Sequence, residues 1–338
     1  MVASIEDVAR LAGVSIATVS RALRGLPDVA PGTRDKVLAA AGELDYVPSP
    51  FAARLASGRT ATVGVVVPFV NRWFFAEVID TVETALRKAG FDLLLYNLGD
   101  EQGRVRFFEV MPMRKRVDAV LVVSLVLSDG ELAALGSLGS PIGLLGLERP
   151  GFLATRIDDV RSARIAVDHL LQLGHRRIGL IGGDTDDPMR FTPPLHRRDG
   201  YRDALTSAGI ELDPKLEVLG YFTAAGGSAA TEQMLTLAEP PTAIFAESDE
   251  MAYGALRTIR RAKLRVPQDL AVIGFDDQDN AELMDLSTVR QPVAEQALDV
   301  ATRLLAAIGP DGESEPTTVV LPTELVVRGS TDASRSVY

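Results

Sequence analysis

The chain has 338 residues, of which 46% are hydrophobic and 24% charged, with a mean hydropathy of +0.13; it can bury a full core in two or three domains, and wholesale disorder is excluded. Its longest apolar runs, such as residues 63–67 and 119–123, stop well short of the roughly 18 residues a bilayer span needs, and the absence of cysteine excludes disulfides, cysteine-held zinc, iron–sulfur clusters and thiol nucleophiles. The net charge of -11 speaks against polyanion binding by the chain as a whole, yet residues 1–60 hold seven basic against six acidic side chains while residues 61–338 hold 28 against 40.

That asymmetry suggests a small module facing a polyanion and a larger acidic module that keeps the chain off non-specific sites. The N-terminus carries no basic segment followed by an apolar one, which argues against a secretory signal and for a cytoplasmic address. In the head, Ser4 and Asp7 have capping-box spacing, and Ile5, Val8, Ala9, Leu11 and Ala12 form the stripe of a short helix that Gly13 ends. Ser15 can cap a second helix whose buried face is Val19, Ala22 and Leu23, leaving Ile16, Ala17, Thr18, Ser20 and Arg21 outward. Pro31 opens a third helix with Val37, Leu38, Ala41 and Leu44 on one face, closing near residues 45–48.

A helix, a glycine-containing turn and a second helix form the geometry that lays the second helix in a DNA major groove; a plain three-helix packing module has the same spacing. The outward residues favour DNA, because small and hydroxylic side chains allow close approach to a backbone and Arg21 has the fork for guanine. Residues 5–23, IEDVARLAGVSIATVSRAL, closely resemble the head of LacI/GalR-family bacterial transcription regulators. The resemblance implies that Ile16, Ala17 and Arg21 stand where the family reads bases, and Ser15, Thr18 and Ser20 at or near backbone contacts. Ile16 is also readable as a core residue of the head.

Residues 51–58 follow a proline turn and end at Gly58, too short for a stable helix alone. The segment resembles the family's hinge helix, in which Leu55 would be the wedge pushed between base steps of the minor groove and Arg54 a phosphate contact. Arg54 sits one place later than in many relatives, and the bland alternative is a plain linker.

From Thr62 onward, buried β runs at 63–67, 92–96, 119–123 and 142–145 alternate with amphipathic stretches such as 77–89. A second series follows at 177–181, 217–220, 242–246 and 271–274, with helices near 162–173, 198–208, 228–238 and 251–261. This predicts an α/β body of two doubly wound parallel-sheet subdomains, whose ligands lie beyond the carboxyl ends of the strands. The distinctive residues collect at those ends: NRWFF at 71–75, GGDTDDPMRFT at 182–192, ESD at 247–249 and FDD at 275–277. Residues 174–182 (GHRRIGLIG), 197–201 (RRDGY) and 272–277 (VIGFDD) again look like the LacI/GalR core, which is similar to periplasmic sugar-binding proteins. That resemblance implies effector contacts at Phe74, Phe75, Arg190, Thr192, Arg197, Phe222, Ser248, Asp249 and Asp276, with Arg197 and Asp276 the principal pair. Core packing is the alternative for the three phenylalanines, and a helix cap for Asp276. Ser248 stands where sugar-responsive relatives usually carry asparagine, and Pro193 and Pro194 leave the register of their loop open.

The acidic pairs 158–159, 186–187 and 276–277 and the histidines His169, His175 and His196 have no catalytic or metal-ligand spacing, so no enzyme, cofactor or metal is implied. The expectation is a helix-turn-helix head at 1–48, a hinge at 49–60, an effector-binding and dimerisation core at 61–330 and a tail at 331–338. The core would divide into about 61–160 plus a return segment near 290–322, and about 161–289 plus 323–330. Such a protein would be a homodimeric repressor of a pseudo-palindromic operator in double-stranded DNA, controlled by a small-molecule effector of carbohydrate type, and without membrane contact. The end of the chain carries no leucine-heptad helix, which favours a dimer over a tetramer. A solute-binding protein without DNA function is the alternative.

Overall fold

The computed structural model describes residues 3–23, 25–46, 59–308, 312, 316–332 and 334. Residues 49–58 of the predicted hinge, Arg54 and Leu55 among them, lie outside the described residues. The chain divides into two compact units, residues 1–61 and 62–338.

The first unit holds three helices, Ile5–Ala12 (α1), Ile16–Leu23 (α2) and Pro31–Glu43 (α3). Ser4 and Asp7 form the capping box: the Asp7 amide donates to Ser4 Oγ at 3.2 Å, and the Ser4 amide donates back to the Asp7 carboxylate at 3.0 Å. Gly13 then adopts φ +67°, a left-handed conformation that a side chain would strain, and this ends α1 and sets the tight turn. Ser15 Oγ accepts the Thr18 amide at 3.1 Å at the start of α2. Val8, Val19 and Val37 are fully buried at the centre, with Ala22, Ala40 and Ala41 around them. Two stripe residues expected in this core face outward instead, Leu11 at 47% exposure and Leu38 at 50%. At about 100° per residue Leu38 lies off the face of Val37, Ala41 and Leu44, and Ala40 takes the inward place.

The second unit contains two six-stranded sheets. The first is built from Thr62–Val67 (β1), Asp92–Asn97 (β2), Ala119–Val123 (β3), Ile142–Leu145 (β4), Leu153–Arg156 (β5) and the late strand Thr318–Val320 (β11), in the order β11-β5-β4-β3-β1-β2, all parallel. The second comprises Ile178–Gly182 (β6), Glu217–Leu219 (β7), Ala243–Ala246 (β8), Ala271–Asp276 (β9), Ser287–Arg290 (β10) and Glu324–Val326 (β12), in the order β12-β10-β9-β8-β6-β7, with only β12 antiparallel. The central strands are buried on both faces, which is why they read as continuous apolar runs. Val63, Val65 and Val67 meet the helices Trp73–Lys88 (α4) and Val293–Ile308 (α12). On the other face Val66, Val120 and Val122 meet Phe107 of Glu101–Val110 (α5) and Leu135 of Asp129–Gly136 (α6). The second sheet is covered by Asp159–Gln172 (α7) and Pro193–Ser207 (α8) on one face and by Ala224–Leu235 (α9) and Asp249–Arg261 (α10) on the other. A short helix, Asp279–Leu283 (α11), follows β9.

The chain passes between the sheets three times, at residues 157–158 after β5, at 291–292 between β10 and α12, and at 321–323 between β11 and β12. Five body helices begin two to five residues before the sequence pattern marks them, at Trp73, Asp159, Pro193, Ala224 and Asp249. The apolar stripe reports only the turns that touch a sheet; most of these extra first turns face the cleft between the sheets and carry its polar and aromatic groups.

Candidate functional site

The head presents one candidate surface. On α2, Val19 and Ala22 are turned into the core, whereas Ile16 is 46% exposed and Ser15, Ala17 and Arg21 are exposed beside it, with Thr18 and Ser20 half-buried. Exposure of Ile16 sets aside the reading of it as a core residue.

In the second unit a cleft between the sheets has an empty volume of about 560 Å³, its open mouth included. Its wall in the first subdomain comes from the start of α4 (Arg72, Trp73, Phe74, Phe75), from Ser124 after β3, from Gly146 after β4 and from Gln296 on α12. The second subdomain supplies Phe191, Pro193 and Arg197 around the start of α8, Phe222 after β7, Ser248 and Glu250 after β8, Asp276 at the last position of β9 and Gln278 just beyond it. Ile157 and Gln291 enter from the crossing segments, and Asp159 from the first turn of α7. Every one of these groups except Gln296 sits at or beyond the carboxyl end of a strand or at a crossing, as a parallel sheet arranges its ligand-binding loops.

Arg197 is the most heavily bonded group. Its Nε donates to Asp159 at 2.9 Å, Nη1 donates to the Glu247 carbonyl at 2.5 Å, and the guanidinium lies 3.7 Å over the Phe275 ring and 3.8 Å from the Asp276 carboxylate. Asp276 is 6% exposed and accepts from Gln291 Nε2 at 2.5 Å and Gln278 Nε2 at 3.4 Å. Its backbone has φ +121°, a costly conformation for a side-chain-bearing residue, which those partners hold in place. Burial outweighs the attraction of Arg197 and pushes the Asp276 carboxyl up to about 7. Behind it, burial and the Asp276 charge raise Asp249 well above the carboxylate range. Glu247, 1% exposed and bonded through one oxygen to the Gly183 amide at 2.8 Å, is pushed by burial up to about 8.

Rings span the cleft. Phe74 meets Phe75 at 5.3 Å between centroids, Phe75 meets Phe191 at 6.0 Å, and Phe191 meets Phe222 at 5.6 Å. The Arg72 guanidinium lies 4.2 Å over Phe69 and 5.5 Å from Phe222 in the opposite subdomain. Glu250 faces Arg72 and the Trp73 amide across the gap, and burial outweighs their pull and raises its carboxyl.

Of the nine residues the sequence nominated, Phe74, Phe75, Arg197, Phe222, Ser248 and Asp276 line this cleft. Arg190 does not: it is exposed at φ +55°, which turns its side chain away and brings Phe191 inward. Thr192 borders a neighbouring cavity with His196 and Arg149. Asp249 is wholly buried behind the wall, accepting from Thr288 Oγ1 at 2.7 Å and the Gln278 amide at 2.8 Å. Arg72, Trp73, Ser124, Asp159, Phe191, Glu250 and the three glutamines were not singled out. Trp73 lay inside a motif already noted, but the glutamines carry no sequence signal. His169 and His175 bond Thr331 and Thr242, at 2.9 and 3.0 Å, away from the cleft.

The model of bacterial regulatory proteins of the lacI family matches residues 4–49, and that of a periplasmic binding protein-like domain matches residues 167–331. The transcriptional repressor CytR of Escherichia coli strain K12 is 34% identical over 339 residues, covering 98% of this chain and 97% of that protein. The chain belongs to the LacI family of bacterial regulatory proteins. This LacI-family protein also superimposes on a Lac repressor dimer bound to operator and the anti-inducer ONPF, with a TM-score of 0.87 at 27% identity, covering 98% and 99% of the two chains. Against a complex of the transcriptional regulator CelR with cellobiose the TM-score is 0.70 at 35% identity, covering 97% and 99%. As a LacI-family member the protein is a DNA-binding transcription regulator and not an enzyme. Among its described residues no helix is long and apolar enough to cross a membrane.

Proposed function

We infer that the protein is a cytoplasmic repressor that binds a pseudo-palindromic operator as a homodimer and releases or grips it according to a small carbohydrate held between the two sheets. The observation that carries the DNA half is the division of α2, with Val19 and Ala22 buried and Ile16, Ala17 and Arg21 left to face bases. The effector half rests on the cleft at the strand ends, where Arg197 and Asp276 meet a row of rings. It is also supported by the likeness to a regulator solved with cellobiose. In this reading residues 1–48 contact DNA, 49–60 form the hinge with Leu55 as its wedge and Arg54 on phosphate, 61–330 bind effector and dimerise, and 331–338 form a tail. Arg190, Thr192 and Asp249 then act around the effector rather than on it, Asp249 by holding the Gln278 amide. Effector binding favours one relative orientation of the subdomains, and the resulting change at the hinge alters operator affinity; couplings of this kind are about 1–3 kcal/mol.

Selection of duplexes from a random library by the full chain tests this. An enriched inverted repeat is expected, with binding that depends on Leu55 and Arg21; a library with no enriched sequence refutes the repressor reading. Leu55→Ala weakens specific binding and leaves ligand affinity unchanged if the wedge assignment holds.

A further inference from the structure

The two sides of the cleft differ in what their polar groups are already bonded to. On the second-subdomain side Arg197 donates to Asp159 and to the Glu247 carbonyl, Asp276 accepts from Gln278 and Gln291, and Ser248 Oγ accepts the Met251 amide at 3.3 Å. On the first-subdomain side two donors stand open. Gln296 of α12 is 1% exposed in the wall, and its Nε2 has no hydrogen-bond partner among the described residues. Arg72, just before α4, lines the same cleft half-buried; its guanidinium lies over the Phe69 ring and near that of Phe222, and it makes no hydrogen bond or ion pair among the described residues. Of the two acids whose charges it feels, Asp187 and Glu250, burial raises the carboxyl of Glu250. A buried donor without an acceptor is costly, so both groups call for acceptor atoms on whatever fills the cleft.

Resting on the reading of this cleft as the effector site, we propose that Gln296 and Arg72 are its specificity-determining donors, and that the effector turns an oxygen-bearing edge, hydroxyl or anionic, toward them on the first-subdomain side. The amide of Gln296 gives its hydrogen to one such oxygen, and the guanidinium serves either source, single hydroxyls one at a time or a carboxylate or phosphate through its fork. Trp73 and Phe222 meet the C–H surface of the same molecule. Because the second side is bonded within itself before a ligand arrives, the contacts the effector has to complete are those with α12 and the start of α4, which tie it to the first subdomain.

The first test needs no ligand. Gln296→Met keeps the length of the side chain and removes the unpaired donor, so the full chain without sugar is expected to melt about 2 °C higher than the parent. A side chain whose role is to hold the fold gives the opposite sign, and an equal or lower melting temperature shows an amide already satisfied within the protein and overturns the proposal. Trp73 is the only tryptophan in the chain and lines the cleft, so its emission reads occupancy directly, with calorimetry beside it for the variants. The full chain is titrated with glucose, ribose and cellobiose, with glucose 6-phosphate and ribose 5-phosphate, and with glucuronate. For whichever of these saturates the parent, Gln296→Met and Arg72→Met are each expected to weaken binding about tenfold or more; unaltered affinity in either variant overturns the proposal. An Arg72→Met loss that is greater for an ester or glucuronate than for the neutral sugar identifies the acceptor as an anionic oxygen, and a loss no greater identifies it as a hydroxyl. A panel in which nothing saturates overturns the effector reading of the cleft itself. Operator retention by the parent preparation is scored separately, so either failure leaves the repressor reading standing.

Discussion

Arg104, on α5 of the first subdomain, donates through Nη1 to the backbone carbonyl of Met189, in the loop that leaves β6 of the second. The same guanidinium donates to Glu131 at 2.8 and 2.9 Å and to the Val126 carbonyl at 2.6 Å, and Arg104 is only 5% exposed. Met189 itself is 2% exposed within the core of the first subdomain, and the Val126 amide donates to the Arg190 carbonyl at 3.3 Å. Loop 183–192 is therefore a strap from one subdomain fastened into the other. Arg104→Ala unfastens it and leaves Glu131 without its main partner, a loss that approaches but does not exceed the about 3–5 kcal/mol of a half-broken, fully buried pair, because Glu131 keeps some contact with water. Chemical denaturation reads the stability loss. Limited trypsin digestion reads the strap, because cleavage after the exposed Arg190 is expected to quicken well before the core unfolds.

The buried acids give the protein a stability slope with pH. Glu247 ionises near 4.5 in an unfolded chain and is held up to about 8 by burial in the folded one; Asp276 moves likewise from 3.8 to about 7. Between those values the folded state keeps protons the unfolded state releases, so their contribution is fully present on the acidic side and lost as pH rises toward 8. Glu247→Gln preserves an acceptor for the Gly183 amide and removes the titration. Its thermal midpoint is expected to match the parent near about pH 5 and exceed it near about pH 8; equal differences at both values refute the assignment.

In the head, Arg21→Ala is expected to leave the fold intact, since the side chain is exposed, and to cost about 1–3 kcal/mol of specific operator binding with relaxed discrimination at one base position. Anisotropy titrations against the selected duplex and single-base variants of it measure both. Ser4→Ala, by contrast, removes the capping box and lowers head stability by about 1 kcal/mol while leaving the DNA face unaltered.

Gly183 lies against the far side of the cleft wall, where an added Cβ would stand 2.2 Å from the Phe222 ring and 2.7 Å from Pro194. Gly183→Ala is expected to push Phe222 into the cleft. The Trp73 response to a saturating sugar then weakens severalfold with only a small fall in melting temperature; an unchanged response removes Phe222 from the site.

The doubly wound body was legible because its central strands are buried on both faces and so stand out as apolar runs. The strands that escaped notice, β5, β10, β11 and β12, have only three or four residues, and β11 and β12 lie partly exposed at the sheet edges. Within the cleft, Asp276 and Phe74 stand in the strand-end motifs 275–277 and 71–75, and the resemblance to the LacI/GalR core is what nominated them. Gln291 and Gln296 could not be nominated, since an isolated amide has no pattern and only the second crossing brings them to the cleft. The exchange of Phe191 for Arg190 depends on the left-handed φ at Arg190, which follows from the burial of Met189 in a distant core and has no local sequence mark.

The three passages at residues 157–158, 291–292 and 321–323 bind the two sheets as three pins bind the leaves of a hinge. Leaves so pinned can swing or twist by small angles but cannot slide apart, so a ligand the size of a sugar has very few ways to express itself in the shape of the body. Whatever motion the cleft undergoes arrives elsewhere as a change of angle, a quantity that a second, symmetry-related copy could double and a double helix could feel.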